Sequence, residues 1–102
     1  MDVKTFQNEI FNFASAWDKK RKVTPSEQAT FVHLVEEVGE LAREYVNQES
    51  RKNKFNDEEL NNAIGDALIQ LIKLAHLRNL DIENLILKII EDEQQVLRSN
   101  DD

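Results

Sequence analysis

Apolar residues recur at steps of three and four along almost the whole of this chain, and little interrupts them. The sequence contains only two glycines and one proline, so few sharp turns are available. A period of three to four is typical of amphipathic α-helices, whereas the alternation of a β-strand is nearly absent. We therefore expect an all-α protein whose protomer resembles a four-helix antiparallel bundle with short links between the helices.

Capping residues locate the ends of the first two predicted helices. The first covers roughly residues 3–20. The second has Thr24 as its N-cap and Pro25 at its first helical position, and it runs to about Asn47. The polar segment that follows, residues 48–55, is the longest predicted connection.

Similar signals bound the other two helices. The third is predicted to start at Asn56 or Asp57 and to end before Asn79, a residue type that often terminates helices. Asp81 is the predicted N-cap of the fourth helix. Residues 99–102 follow as a tail that we expect to be frayed.

Composition restricts the range of functions. The length of 102 residues fits one domain, residues 1–102. A net charge of -7 disfavours nucleic acid and anionic membranes as partners. The absence of cysteine excludes disulfides and thiolate metal sites. The first residues lack the basic and apolar pattern of a signal peptide, so a cytoplasmic protein is expected.

The third predicted helix is apolar over a wider arc than one small core can cover. A chain of this size buries only about two-thirds of its unfolded surface. We therefore expect part of the arc to pack against another copy of the chain, which predicts a homodimer or a dimer of dimers, that is, a homotetramer.

Two rows of polar residues follow helical steps of three and four. The row on the second helix consists of His33, Glu37, Glu40 and Glu44, and the row on the third helix consists of Glu59, Asn62, Asp66, Gln70 and Lys73. If the two helices pack antiparallel, the carboxylates of Glu37, Glu40 and Asp66 could converge on Mg²⁺, a cation that prefers oxygen ligands. The alternative is that both rows are ordinary solvated helix faces.

Each of the two glycines lies next to this acidic pattern. Gly39 immediately precedes Glu40, and Gly65 immediately precedes Asp66. A glycine inside a helix costs about 1 kcal/mol relative to alanine. Close approach of a neighbouring helix at both glycines is the simplest compensation, and we expect it.

Two segments carry a resemblance to a known family. Leu34-Val35-Glu36-Glu37-Val38-Gly39-Glu40-Leu41 resembles the first motif of the MazG-like nucleoside triphosphate pyrophosphohydrolases, which belong to the all-α pyrophosphatase superfamily. Ile64-Gly65-Asp66-Ala67-Leu68-Ile69-Gln70-Leu71 is similar to the second motif. The resemblance implies Mg²⁺-dependent hydrolysis, with Mn²⁺ as another candidate ion, of a nucleoside triphosphate to its monophosphate and pyrophosphate. Removal of non-canonical nucleotides is one role for such an enzyme.

The resemblance also assigns roles to residues. It implies that Glu37, Glu40 and Asp66 are metal ligands and that Glu36 is a catalytic acid of the motif. The position of the fourth ligand falls on Ala63, which cannot bind a metal.

Three interpretations of Ala63 follow. Glu59 or Asn62 could substitute as a ligand, or the protein could bind fewer metal ions. The third interpretation is a non-catalytic relative, a helical module that binds metal or nucleotide without hydrolysing it.

Three further residues are candidates for substrate binding. Lys73 and Gln70 continue the polar row beyond Asp66, and an ordinary surface lysine is the alternative for Lys73. Trp17 could stack on a nucleobase, as could Phe13. Their helical spacing instead favours the hydrophobic core for both.

Overall fold

The computed structural model describes residues 1–99, and over that range it consists of four α-helices and contains no strand. The helices are α1 Val3–Lys20, α2 Glu27–Ser50, α3 Asp57–Leu77 and α4 Ile82–Arg98. The predicted all-α, bundle-like fold is confirmed. Of the tail expected to be frayed, residues 100–102 lie outside the described part of the chain.

Two helices, α3 and α4, begin at the side-chain N-caps that the sequence predicts. Asn56 Oδ1 accepts the Glu59 N–H at 3.0 Å, and Asp81 Oδ1 accepts the Asn84 N–H at 3.1 Å. Each cap satisfies a backbone donor that has no partner within its own helix. The predicted starts of α3 and α4 are therefore confirmed.

The predicted start of α2 is wrong. Ser26, and not Thr24, is the N-cap, since its Oγ accepts the Ala29 N–H at 3.1 Å while its backbone is extended. Thr24 and Pro25 belong to the link before the helix. Serine caps at least as well as threonine, so the nearer hydroxyl replaces the predicted one. The helix also continues past Asn47 to Ser50, because no glycine or proline breaks it there.

Two helices end in the same hydrogen-bonded motif. At the end of α3, Asn79 has a positive φ of 59°, and the Leu80 N–H reaches back to the Ala75 carbonyl at 2.9 Å. At the end of α1, Lys22 has a φ of 58°. The left-handed residue turns the chain away sharply while satisfying the last carbonyls. Asn79 is thus the terminator that the sequence predicts.

α3 is the central helix, since α1, α2 and α4 all pack on it. Two contacts at opposite ends show that α2 runs antiparallel to α3. Glu27 near the start of α2 pairs with Arg78 after the end of α3, at 3.0 Å. Near the end of α2, a Glu44 carboxylate oxygen accepts the N–H of Asn56, the cap of α3, at 3.3 Å.

Gln7 fastens α1 to the turn between α3 and α4. Its side chain is buried, donates to the Leu80 carbonyl at 2.8 Å and accepts the Ile82 N–H at 2.9 Å. One turn along α1, the Phe11 ring stacks on His76 with ring centroids 3.9 Å apart. α1 and α2 make no close backbone approach anywhere in residues 1–99, although both pack on α3.

The chain alone has a very small hydrophobic core. The buried apolar residues of the described chain are Ala14, Leu60 and Ala63. Phe13 and Trp17, which the sequence favours as core, are 54% and 41% exposed, because the inner face of α1 carries Ala14 and Gln7 instead. The radius of gyration is 17.2 Å, compared with about 13 Å for a compact chain of this length.

The close helix approach expected at the glycines is absent within this chain. A Cβ atom added to Gly39 or to Gly65 would meet nothing within 4 Å among residues 1–99. Both glycines therefore face open space in the single chain. In that part of the chain, none of the four helices is long and apolar enough to cross a membrane.

Candidate functional site

The face of α2 that packs on α3 is polar. Its buried residues are Thr30, Glu44 and Asn47 rather than any aliphatic side chain. These positions lie at helical steps from His33, Glu37 and Glu40, so all of them belong to one face of α2. This arrangement directs charged groups between the two helices and leaves Phe31, Val35 and Val38 about half exposed on the outside.

A cavity of about 730 Å³ opens between α2 and α3, and we call it the acid cleft. Five carboxylate residues line it, namely Glu36, Glu40, Glu44, Glu59 and Asp66. The remaining lining residues are Gly39, Arg43, Asn62 and Ala63. Both candidate substitutes for the missing ligand, Glu59 and Asn62, therefore lie in the same cleft as Ala63.

Negative charge in the acid cleft is poorly compensated. Arg43 is the single basic residue among the described residues that line it, against five carboxylates. Like charges gathered in a cleft raise its negative potential and attract cations. This charge disfavours an anionic phosphate chain in the cleft unless a cation offsets it.

Glu44 is engaged in the fold as well as in the cleft. It is only 8% exposed, and it accepts the N–H of Asn56 at the start of α3. A carboxylate near a helix N-terminus also interacts favourably with the helix dipole. Its place in the polar row of α2 follows from spacing, but its partner on the next helix could not be predicted from one helix alone.

A second cavity, of about 250 Å³, lies where α1 and α2 diverge over α3, and we call it the aromatic pocket. α1 contributes Phe13, Ala14, Trp17 and Asp18, and its C-cap contributes Arg21. α2 contributes His33 and Glu37, and α3 contributes Asp66, Ile69, Gln70 and Lys73. The three predicted substrate-binding residues, Trp17, Gln70 and Lys73, thus line one pocket.

A buried ion pair crosses the wall of this pocket. Lys73 Nζ donates to Asp18 Oδ2 at 2.5 Å, and the two side chains are 6% and 12% exposed. This burial excludes the surface-lysine alternative for Lys73. Sequence reasoning missed Asp18, although Asp18 lies one helical turn beyond the buried Ala14 on the inner face of α1.

Most other polar groups of the aromatic pocket also have partners. His33 Nε2 lies 2.9 Å from Glu37 Oε1. The Arg21 guanidinium lies 4.9 Å from the centre of the Trp17 ring, a cation–π distance. Gln70 differs, because its Oε1 atom is buried and has no hydrogen-bond partner anywhere in residues 1–99.

The predicted metal ligands are distributed over the two cavities. Glu37 lines the aromatic pocket, Glu40 lines the acid cleft, and Asp66 lines both. Glu36, the predicted catalytic residue, lines the acid cleft. In the described residues, no three His, Cys, Asp or Glu side chains are grouped so that they could hold a metal ion.

The oxygen donors around Asp66 nevertheless suit Mg²⁺. This ion usually keeps several waters and binds through one or two carboxylates together with substrate phosphates, so it does not need a closed protein cage. Asp66 with Glu40 or Glu37 provides that number of carboxylates at the boundary of the two cavities. The chemistry of the donor set therefore fits the ion that the motif resemblance implies.

Comparison with known proteins supports the resemblance. The family described as the MazG nucleotide pyrophosphohydrolase domain matches residues 25–95, which include α2, α3 and most of α4. The match spans both cavity-lining segments of α2 and α3. No curated protein and no solved structure gives a significant match to the chain.

Proposed function

This chain belongs to the MazG nucleotide pyrophosphohydrolase family, and we propose that it hydrolyses a nucleoside triphosphate to the monophosphate and pyrophosphate with Mg²⁺. The observation that carries the proposal is the position of Asp66. It borders the acid cleft, which holds Glu36 and Glu40, and also the aromatic pocket, which holds Glu37. Each of the four acids of the two motif segments therefore lines one of two cavities, and Asp66 lines both.

Each acid has a role in this proposal. Asp66 together with Glu40 or with Glu37 would hold Mg²⁺, with Mn²⁺ as a substitute. Glu59 or Asn62 would serve in place of the motif acid that is absent at Ala63. When bound, the ion would neutralise phosphate charge and acidify a water molecule. The carboxylates of the protein orient the triphosphate by way of that ion, since without it they would repel the substrate.

Glu36 is the proposed general base. It is exposed at the acid cleft, where a carboxylate can accept a proton from water. The oxygen of that water bonds to the α-phosphorus, the bond from the α-phosphorus to the bridging oxygen breaks, and pyrophosphate leaves. The proton passes to Glu36 and then to solvent, so the atoms and charges of the hydrolysis balance.

The proposal places the protein in the cytoplasm and includes no nucleic acid as a partner, because the net charge is -7. It also includes a homo-oligomer, which is supported by the outer surface of the helices, where large apolar residues are about half exposed. They include Phe31, Val35, Val38, Ile64, Leu68 and Leu71. A second copy of the chain would cover this surface, as a homodimer or homotetramer, and supply the core that one chain lacks.

A panel of ribo- and deoxyribonucleoside triphosphates tests the activity. In the presence of Mg²⁺ or Mn²⁺, we expect at least one nucleotide of the panel to yield pyrophosphate. Added inorganic pyrophosphatase converts the pyrophosphate to phosphate, which a colorimetric assay detects. Glu40→Gln and Asp66→Asn should lower that release by about 100-fold or more, equivalent to about 2.7 kcal/mol of transition-state stabilisation.

The matched control is Glu91→Gln on the exposed part of α4, away from both cavities. It removes one carboxylate, as Glu40→Gln and Asp66→Asn do, so its net charge equals theirs. It should leave the rate unchanged. Absence of pyrophosphate from the whole panel with either metal would contradict the proposed hydrolysis.

Ala63 favours a second candidate function, a non-catalytic module that binds metal or nucleotide. Ala63 is 5% exposed and borders the acid cleft, whose volume leaves room for a longer side chain. In Ala63→Glu, the motif acid is restored. If the parent is inactive and Ala63→Glu releases pyrophosphate, the second function is favoured. Measurable release by the parent supports the enzyme.

A further inference from the structure

Arg43 is the single basic residue among the described residues that line the acid cleft, and its charge is unpaired there. Five carboxylates share the cleft, yet the Arg43 side chain forms no ion pair and no hydrogen bond within residues 1–99. Arg78, in contrast, pairs with Glu27 at 3.0 Å. The five N–H donors of the Arg43 guanidinium are therefore available to a ligand.

A phosphate group is the ligand that fits this guanidinium best. The planar guanidinium directs parallel N–H donors at two phosphate oxygens, and these charge-assisted hydrogen bonds are stronger than neutral ones. The carboxylates of the same cleft supply oxygen ligands for Mg²⁺. A phosphate chain that carries Mg²⁺ thus finds partners in one cleft both for its metal ion and for its free oxygens.

Arg43 and the proposed general base lie at different ends of the acid cleft. Glu36 precedes Arg43 by seven residues, which is about 10 Å along a helix. Next to Arg43, Glu44 contacts Asn56 at the start of α3, and α2 runs antiparallel to α3. Arg43 therefore lies near the start of α3, whereas Glu36 lies further along it, toward Asp66. With the α-phosphate at Glu36, a phosphate chain that follows α2 brings its last group toward Arg43.

The aromatic pocket is a poorer place for the terminal phosphates. Its lysine, Lys73, is paired with Asp18, and its histidine, His33, is engaged by Glu37. Arg21 makes a cation–π contact at 4.9 Å. Each basic residue of this pocket, among those described, therefore already has a partner. The phosphate chain is better accommodated along the acid cleft.

We propose that Arg43 binds the γ-phosphate of the substrate and thereby makes the chain selective for nucleoside triphosphates over diphosphates. The inference rests on the proposed function for the reaction itself. Arg43 binds and positions the phosphate chain but transfers no proton, because a guanidinium stays protonated. A diphosphate ends before Arg43 and would leave its charge unpaired. Since the γ-phosphate departs within pyrophosphate, free pyrophosphate should bind the same residue.

The first test measures binding without hydrolysis. Inorganic pyrophosphate is titrated into the full chain in the presence of excess Mg²⁺, and isothermal titration calorimetry gives the dissociation constant. Arg43→Gln should raise that constant about tenfold or more, because the charge-assisted contact is lost. Arg98→Gln, in the last turn of α4 and outside both cavities, removes the same charge and should bind like the parent. Circular dichroism of both variants verifies that the helices are retained.

The second test measures selectivity. The nucleoside triphosphate that the parent hydrolyses best is compared with the diphosphate of the same nucleoside, which water cleaves at the same linkage to monophosphate and phosphate. Arg43→Gln should lower kcat/KM about tenfold or more for the triphosphate, and less than about twofold for the diphosphate. A merely structural role of Arg43 would lower both values alike.

The outcomes separate this inference from the proposed hydrolysis. Equal pyrophosphate binding by the parent and Arg43→Gln, no binding by the parent, or equal losses for the two nucleotides would overturn the role of Arg43. If the parent still releases pyrophosphate from a nucleoside triphosphate, the proposed hydrolysis stands. Pyrophosphate binding that depends on Arg43, in a protein that hydrolyses no nucleotide, supports the role of Arg43 while contradicting the proposed hydrolysis.

Discussion

The inner and outer faces of α2 differ in the opposite sense from those of most helices in soluble proteins. The inner face of α2 buries Thr30, Glu44 and Asn47, while its outer face leaves Val35 and Val38 about half exposed. A single soluble chain usually places apolar residues inside and polar residues outside. The inversion indicates that the inner face is shaped for binding, while the outer face provides little of the single chain's own stability.

This comparison separates two kinds of cost. Burying charge between helices is expensive unless each group is paired. Leaving apolar residues exposed is unfavourable unless another surface covers them. Within the chain, Asp18 and Lys73 pair, so each buried charge is compensated. The chain does not cover its exposed apolar residues by itself, and this is why we propose an oligomer.

The largest effect is expected from breaking the buried ion pair. Lys73→Met leaves Asp18 buried without its partner, and it should lower the free energy of unfolding by about 3–5 kcal/mol. Urea unfolding at fixed protein concentration, followed by circular dichroism, measures the change. The double variant Asp18→Leu/Lys73→Met removes both charges, so it should recover most of the loss.

An exposed pair serves as the control for that experiment. Lys88 and Asp92 form an ion pair on α4 at 3.2 Å, with side chains 75% and 61% exposed. Lys88→Met should change stability by less than about 1 kcal/mol, because solvent screens such pairs. Equal effects of Lys73→Met and Lys88→Met would contradict the assignment of the Asp18–Lys73 pair to the inside of the fold.

The helices were largely predictable because their signals are local. The caps Asn56 and Asp81 and the terminator Asn79 each act within a few residues of their own position, so the sequence locates them. The prediction of Thr24 as the N-cap of α2 is wrong because Ser26, two residues later, caps equally well, and only the path of the link distinguishes the two. Local rules thus fail where two equivalent signals lie close together.

The candidate site was predictable only within each helix. The polar rows of α2 and α3 follow from periodicity, and their residues do line the cavities. Periodicity cannot give the packing of one helix against another, so the pairing of Asp18 with Lys73 was missed. The exposure of Trp17 was missed for the same reason, since it depends on how α1 crosses α3.

A smaller effect is expected from the outer face. Leu68 is 52% exposed on α3, and we propose that a second copy of the chain covers it. Leu68→Glu would place a charge in that interface. It should raise the dissociation constant of the oligomer at least tenfold, since burying a leucine contributes about 1.5–3 kcal/mol. Light scattering at micromolar concentrations measures the mass of the particle.

Leu97→Glu provides the matched control, because Leu97 is 83% exposed near the end of α4. That variant should keep the mass of the parent. A parent chain that is already monomeric at these concentrations would contradict the proposed oligomer, and the apolar outer face would then need a different explanation.

Gly65 provides a finer test of whether another subunit packs closely on α3. In the single chain, a Cβ at Gly65 meets nothing within 4 Å among residues 1–99. Gly65→Ala should therefore stabilise the protein by about 1 kcal/mol through helix propensity. Ala42→Gly, at an exposed position of α2, should destabilise it by about the same amount. Thermal unfolding of both variants measures the two changes.

A loss of stability in Gly65→Ala would reverse the conclusion drawn from the single chain. It would mean that a neighbouring subunit approaches the backbone of α3 so closely that a methyl group does not fit. The close packing expected from the sequence at this glycine would then exist between chains.

The smallest effect is expected from an exposed carboxylate, that of Asp2. Asp2 is the N-cap of α1, and its Oδ1 accepts the Thr5 N–H at 2.7 Å. This backbone hydrogen bond, together with the Thr5 hydroxyl and the charge of Lys4, lowers the pKa of Asp2 below its usual value of 3.8. A carboxyl group whose pKa is lower in the folded state stabilises the fold above its unfolded pKa.

That stabilisation should disappear as the pH falls from about 3.8 through the lower pKa of the folded state. Asp2→Asn keeps a capping oxygen but does not titrate. The difference in melting temperature between parent and variant should therefore change only in this acidic range and stay constant from pH 5 to 7. A difference that changed near neutral pH would show that the substitution affects another titrating group, and the capping interaction would not explain it.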